Sequence, residues 1–418
     1  MRDYEMQSGI YWIKDYINYT LKFLKNTKKY EKVFYVPLGL GVLTDTDYFL
    51  EKVSKEINKT PKIKKNFCIL LKTEEPLTYV PTSKISLEIL DLINSLKKFN
   101  IFSCDFFIVN FFRTGVSHQV DFLNENSYGW KFVLIETNCL GTYYYPDSLF
   151  DKLEKNKNLN FDKCKFNLSH LNFTTRTHRE LFSKFLIKEK IHKDNLIAIN
   201  TNRDKIPYLS SGLEQYQDDE LIKRNLNIQG KPLVNESKIN FSSYECWFLN
   251  KKFLSLMDNT KLVDSVHPNI NNHYDHIYLD FLSASILNVV SESVYYYPYV
   301  DLGEKVVQPI LVKRPFVLIA PPHSIKYLQS IGYRTFGKYI DESYDSIEDP
   351  NLRMEKVMQV VKDFNKRSVD ENKEMLIEMQ ENLLHNYFLL LSQIKNLQKT
   401  IGKCIIKYVN NRKNINQR

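Results

Sequence analysis

Paired cysteines, long apolar runs and glycine are what this sequence has least of. Six cysteines, Cys68, Cys104, Cys139, Cys164, Cys246 and Cys404, are scattered over 418 residues with no C-x-x-C spacing. That excludes a zinc knuckle, a redox dithiol and a small disulfide scaffold, and fits free thiols in a reducing cytosol. No window approaches the ~18 consecutive apolar residues of a membrane-spanning helix. The opening MRDYEMQSGIYWIKDY carries charge through the stretch where a secretory signal needs an unbroken apolar segment. The expectation is a cytoplasmic protein whose membrane contact, if any, is peripheral. Glycine contributes 12 residues, about 3% of the chain against a usual ~7%. With 43% hydrophobic and 26% charged residues, disordered and collagen-like classes are excluded. Lys, Asn, Ile, Tyr and Phe are abundant, a pattern that reads as AT-rich coding bias and lowers the functional weight of lysine and asparagine runs. The charge balance, 58 Lys+Arg against 49 Asp+Glu, leaves +9, which favours anionic partners such as nucleotides, nucleic acid or lipid head groups without selecting one.

What is present is an alternation of short apolar runs with helix-length amphipathic segments, the pattern of parallel sheets covered by helices. Strands are expected at Val33–Val36, Phe67–Leu71, Asp105–Phe112 and Trp130–Glu136, with a helix over Ile85–Leu96 carrying Leu87, Leu90, Ile93 and Leu96 on one stripe. A polar stretch over 151–165 closes this first unit. A second series follows: a helix over 174–190, a strand at Leu196–Asn200, a polar irregular region from Pro207 to Asn240, then a strand at Ile286–Val290, a helix at Gly303–Val312, a strand at Phe316–Ala320 and a helix at Ser324–Ile331 ended by Gly332. Asp349 or Asn351 is placed to cap a helix through Arg353–Phe364. The last fifty residues read as helix, with Leu383, Leu384, Phe388, Leu391, Ile394, Leu397 and Ile401 near helical spacing. Domains are therefore expected at 1–165 and 166–365, with a helical extension over 366–418. Beyond Lys395 that extension gains only basic charge, which reads either as a solvated face or as a surface for anionic membrane or nucleic acid.

The segment from Val290 to Asp345 is the most informative. A strand delivers Glu292 to its carboxyl end, and an aromatic loop leads to Glu304 and Lys305 at the start of a helix. A helix N-terminus offers N–H groups and partial positive charge, so Lys305 beside it makes a diphosphate site. Glu292 and Glu304 are suited to accept hydrogen bonds from ribose or sugar hydroxyls. One cation for phosphate paired with hydroxyl acceptors is what a sugar nucleotide requires.

The succession S-E-S, G-E-K-x-x-Q-P-I, R-P-F-V-L, a Tyr-Leu-x-x-x-Gly-Tyr-x-Thr-Phe run and D-E-S-Y-D resembles the donor-binding domain of fucosyltransferase-like glycosyltransferases, a group that includes phage and bacterial proteins. Relatives typically carry T-E-K in the central place; here Gly303 stands for the threonine, and Glu304 and Lys305 are kept. The resemblance covers about fifty-five residues, with a weaker one at Arg176-Thr-His178-Arg179. It implies a GT-B-like α/β architecture of two facing Rossmann-like domains, 1–165 on the acceptor side and 166–365 binding a nucleotide-sugar. It implies Lys305 on donor phosphate, Glu304 and Glu292 on hydroxyls, and Arg176 or Arg179 as a second phosphate contact. Basic side chains and a helix N-terminus then stabilise the leaving diphosphate in place of a metal, so no cofactor is expected beyond a GDP- or UDP-sugar as substrate. Inverting transfer needs a general base near the acceptor hydroxyl. Glu136, ending the VLIETN strand, is the first candidate; His118 and Asp121 are rivals.

Three other signals are read as structural. Asp45-Thr46-Asp47 has metal-binding D-x-D spacing but precedes a helical stretch, where an N-cap fits better. His267, His273 and His276, with Asp280, have spacing that could bind a transition metal, but without a cysteine partner they read as surface residues of a polar loop. Asp341-Glu342-Ser343-Tyr344-Asp345 reads as a structural loop near the donor site, and Tyr295 to Tyr297 either stack on a base or pack. The acceptor is expected to be a glycan or lipid-linked glycan. The alternatives are a flipped hydroxylated base in DNA, or a non-catalytic binding or virion component that keeps the fold.

Overall fold

The computed structural model describes Leu24 and residues 32–38, 67–73, 90, 93–94, 96–98, 105–110, 123–125, 130–136, 159, 161–172, 177–199, 282–292, 295, 300 and 302–415. Its strands form two four-stranded parallel sheets and alternate with helices along the chain, the α/β class expected from the alternation. The first sheet holds β1 (Lys32–Leu38), β2 (Phe67–Thr73), β3 (Asp105–Asn110) and β4 (Lys131–Glu136), paired in that order. Their near-continuous apolar runs are those of parallel strands enclosed on both faces. Register sets Asn110 of β3 against Glu136 of β4 at the carboxyl edge. Leu90, Ile93, Asn94 and Leu96–Lys98 are helical, with Ile93 and Leu96 buried, on the segment where the stripe was expected.

The second sheet holds β5 (Phe166–Asn172), β6 (Leu196–Ile199), β7 (Ser285–Ser291) and β8 (Phe316–Ile319), in the order β6-β5-β7-β8. Helix α1 (Thr177–Lys188) connects β5 to β6, and α2 (Glu304–Leu311) connects β7 to β8. Strand β5 has no counterpart in the sequence reading, because FNLSHLN breaks its apolar run with Asn167, Ser169 and His170. The fold buries all three and satisfies them. Asn167 Nδ2 donates to the Arg367 carbonyl at 2.8 Å, Ser169 Oγ donates to Asn288 Oδ1 at 3.0 Å, and His170 Nδ1–H donates to the Val289 carbonyl at 3.0 Å.

Helices α3 (Ser324–Ser330), α4 (Pro350–Asn365), α5 (Val369–Glu378) and α6 (Gln380–Ile415) follow. Gly332, at φ +99°, sits just past α3 in the left-handed region where glycine meets no steric cost. Asp349 caps α4 by accepting from Asn351 N at 2.8 Å and Leu352 N at 2.9 Å, with Pro350 at the first helical position. Ser368 and Glu371 form a capping box at the head of α5. Along α6 the buried stripe runs through Leu383, Tyr387, Leu390, Leu391, Ile401 and Ile405. Phe388, expected within the stripe, is 44% exposed, because the i+4 step from Leu383 falls on Tyr387 and sets Phe388 one residue past it.

Two compact units result. One comprises Met1–Gly9 with Tyr145–Leu391, and the other Ile10–Tyr144 with Ser392–Arg418. The helical extension after 365 is thus divided, its final helix passing from one unit into the other at Leu391.

Candidate functional site

The second sheet changes direction at β5. From β5 the chain crosses to β6 on one side, while β7 lies on the other side and leads on to β8. The two connections, through α1 and through α2, therefore run in opposite directions from the β5–β7 junction, which makes it a topological switch point. Such a switch point is where open α/β sheets take ligands.

Glu292 lies at this point, one residue past the end of β7 and 0% exposed. Its backbone is held from three directions. Its amide donates to the Ile319 carbonyl of β8 at 3.0 Å, and its carbonyl accepts from His178 Nε2–H at 3.0 Å and from Arg179 at 2.9 Å. Arg179 also donates to the Ser291 carbonyl at 3.1 Å. His178 and Arg179 are both buried in the first turn of α1. The basic pair of the R-x-H-R motif therefore grips the end of β7. Arg179, expected on donor phosphate, directs these bonds to the backbone that presents Glu292.

Behind this grip the chain is bolted down by an aromatic stack. His178 stacks on Tyr295 with ring centroids 5.4 Å apart and planes at 19°, and the Arg353 guanidinium lies 4.5 Å from the other ring's centroid. Arg353 donates to the Tyr295 carbonyl at 2.8 Å, and the Tyr295 hydroxyl donates to the Pro350 carbonyl at 2.7 Å. Burial pushes the Tyr295 phenol above its ordinary pKa, partly offset by Arg353. Of the two roles open to Tyr295, base stacking or packing, its surroundings match packing.

The opposite wall is the head of α2. Gly303 is its N-cap, with φ −103°, a conformation any residue adopts, so glycine is not required there by the backbone. Space is what it supplies. A Cβ at Gly303 would stand 3.0 Å from Glu292 Oε2 and 3.7 Å from Lys305 Nζ. The carboxylate from β7 and the ammonium from α2 thus converge on the one position where this chain has glycine in place of the threonine of its resembling relatives. A carboxylate, a helix N-terminus and a lysine together are groups of the kind that can accept from hydroxyls and face phosphate.

His170, beneath α1, completes the polar lining of the β5–β7 junction. It is 1% exposed, meets Phe182 edge-on at 5.0 Å, and leaves Nε2 without a hydrogen-bond partner among the described residues. Burial pushes it down to about 4, against the pull of the Val289 carbonyl and with a further push from Arg179, so it is neutral in the native state. Ser291 Oγ, also buried, likewise has no hydrogen-bond partner among the described residues. Neither residue was singled out from the sequence. The usable signal was a histidine in a seven-residue segment whose apolar residues Phe166, Leu168 and Leu171 flank it.

The D-E-S-Y-D loop is built into the scaffold. Asp345 accepts from Ile325 N at 2.8 Å and Lys326 N at 3.0 Å, capping α3, whose own N-cap residue His323 stands at φ +64° with no side-chain cap. Glu342 accepts from Phe336 N at 2.7 Å, and the Tyr344 hydroxyl accepts from Leu318 N at 3.1 Å.

Glu304 is the first residue of α2 and Glu136 the last of β4; their side chains lie outside the described set. Arg176, His118, Asp121, Asp45–Asp47, His267, His273, His276 and Asp280 also lie outside the described residues. Among the described residues no group of three or more His, Cys, Asp or Glu is placed to hold a metal ion. No described helix is long and apolar enough to cross a membrane.

No protein-family profile matches this sequence, and no curated protein matches it. Among solved structures the chain is similar to a UDP-forming α,α-trehalose-phosphate synthase from Burkholderia xenovorans, at 11% identity and TM-score 0.35, covering 85% of this chain and 78% of that one. It is similar to an E. coli structure described as trehalose-6-phosphate bound with UDP-2-fluoro glucose, at 10% identity and TM-score 0.36, covering 92% and 77%. A glycosyltransferase from Rickettsia africae gives 10% identity and TM-score 0.24, covering 89% and 98%. None of the three scores is high enough for the likeness to carry a conclusion about fold or activity.

Proposed function

We propose that this chain is a GT-B-like glycosyltransferase that moves a sugar from a nucleotide-diphosphate donor, GDP- or UDP-linked, to a hydroxyl acceptor. One observation carries the reading: Glu292 and Lys305 meet at Gly303, at the head of a helix, on the switch point of a parallel sheet. The motif that supplies those residues is the one by which the sequence resembles fucosyltransferase-like donor domains. In this reading Glu292 and Glu304 accept from donor hydroxyls, and Lys305 with the α2 N-terminus faces the diphosphate. The acceptor oxygen attacks the anomeric carbon while the bond to the phosphate oxygen breaks. The diphosphate departs with its electron pair, its growing charge met by Lys305 and the helix head with no metal required. In this reading the acceptor proton passes to a general base, with Glu136 the first candidate and His118 the second, and the anomeric centre inverts. The acceptor of this reading is a glycan or lipid-linked glycan.

Thermal unfolding of the wild type and of Lys305→Ala with GDP, UDP, dTDP and CMP in turn tests this reading. A nucleotide at ~100 times its dissociation constant adds about 2.7 kcal/mol, enough to move the melting temperature by several degrees. One nucleotide should stabilise the wild type and not the variant. If saturating nucleotide stabilises neither, or both equally, the donor site is not at Lys305.

A further inference from the structure

The positive charge of this chain is concentrated in one place. After Glu381 it runs 418 − 381 = 37 residues without an acid, where an even share of its 49 acids would place about four. Those 37 residues carry seven basic ones, from Lys395 to Arg418. The rest of the chain is nearly neutral, 58 − 7 = 51 basic against 49 acidic residues. Lysine-rich coding bias accounts for many lysines; it does not account for the loss of every acid.

The helix turns this charge outward. Lys395, Lys399, Lys403 and Lys407 recur at every fourth residue of α6, and all four are exposed. Four residues advance a helix by ~6 Å and just over one turn, so the lysines share one face roughly 18 Å long. Ile401 and Ile405 lie on the opposite side and are fully buried, which fixes the helix by its apolar stripe. Ile406 lies on the lysine face and is 46% exposed. Like charges four apart on a helix repel one another, a cost that an anionic counter-surface removes.

We propose that this face of α6 docks the protein on an anionic lipid surface. Lysines act there as point charges toward head groups and need no particular geometry. Ile406, in their midst, has an apolar layer to enter at the boundary between head groups and acyl chains. A nucleic-acid backbone would meet the lysines and leave Ile406 unmatched. The inference is independent of the donor-site reading.

Flotation of the full chain with phosphatidylcholine vesicles, with and without about a third phosphatidylglycerol, tests it. The wild type should float with the anionic vesicles alone and be released by salt. Each lysine near such a surface contributes about fivefold to partition, so K399A/K403A/K407A should weaken flotation about 100-fold. K399R/K403R/K407R, which keeps the charge, should float like the wild type, and both variants should melt at the wild-type temperature. Absence of wild-type flotation, or equal flotation by the alanine variant, would overturn the proposal. Salt-sensitive retention on duplex DNA without flotation would overturn it in favour of nucleic acid.

Discussion

The two sheets of this protein use the same strand type to different ends. In the first, each strand lies beside its predecessor, so every step goes the same way and no reversal occurs among the described strands. In the second, the order turns back at β5, which makes the β5–β7 junction a topological switch point. The chemistry follows the topology. The first-sheet strands are runs such as FCILLKT and KFVLIE, whereas β5 and β7 bury Asn167, Ser169, His170, Asn288 and Ser291, with Glu292 just beyond. A parallel strand closed in on both faces gains nothing in stability from such residues unless each is matched. Most are matched to one another or to backbone carbonyls. The buried polar residues of the second sheet gather at the switch point, beside Glu292.

Acidification should separate the two sheets most sharply. His170 has a native pKa of about 4, below its ordinary 6.5, so the unfolded chain takes up the proton first as pH falls. Its contribution to stability is complete above about pH 6.5 and is lost progressively down to about pH 4, a change on the order of 3 kcal/mol. The urea midpoint of the wild type should fall over that window, and that of His170→Asn, which keeps a donor for the Val289 carbonyl, should fall less. Equal slopes would mean that β5 holds no titrating core. Next in size is Lys305→Ala, which removes a charge-assisted phosphate contact of about 1.5–3 kcal/mol, read as a roughly 10- to 100-fold loss of nucleotide affinity by calorimetry. Gly303→Ala asks Glu292 to give way by a few tenths of an ångström; about 1 kcal/mol of nucleotide affinity should be lost, with a smaller change in the unliganded melting temperature. The smallest effect on nucleotide binding belongs to the first sheet. Glu136→Gln should leave the nucleotide shift within ~0.5 kcal/mol of wild type while lowering transfer by ~100-fold or more. Loss of nucleotide binding in that variant would break the division of labour between the sheets.

The legible parts of the fold were those with one dominant local signal. The four first-sheet strands, β6 to β8, the start of α4 at Asp349 and the Gly332 stop after α3 all follow from apolar runs or cap chemistry. Strand β5 was hidden because its polar residues find partners only in three dimensions. Asn167 meets Arg367 and Asn372, some two hundred residues away. The convergence of Glu292 and Lys305 was readable from the motif, since a strand end and a helix start were both placed correctly. The use of His178 and Arg179 was not readable. The carbonyls of Ser291 and Glu292 that they meet lie more than a hundred residues later in the chain. The cap supplied by Asp345 to α3, twenty residues earlier in the chain, was likewise beyond any local rule.

After Met1–Gly9 the chain re-enters the second-sheet unit at Tyr145 and leaves it at Leu391, within a single unbroken helix. No single cut can then yield two self-sufficient halves. Cleavage near residue 145 would strand Ser392–Arg418, with the buried Ile401 and Ile405, on the wrong fragment. Limited proteolysis there should give two pieces that stay together on a sizing column and separate only in denaturant. A protein knitted in this way inherits its parts as a pair, so loss of the helix beyond Leu391 would injure the unit that holds the first sheet.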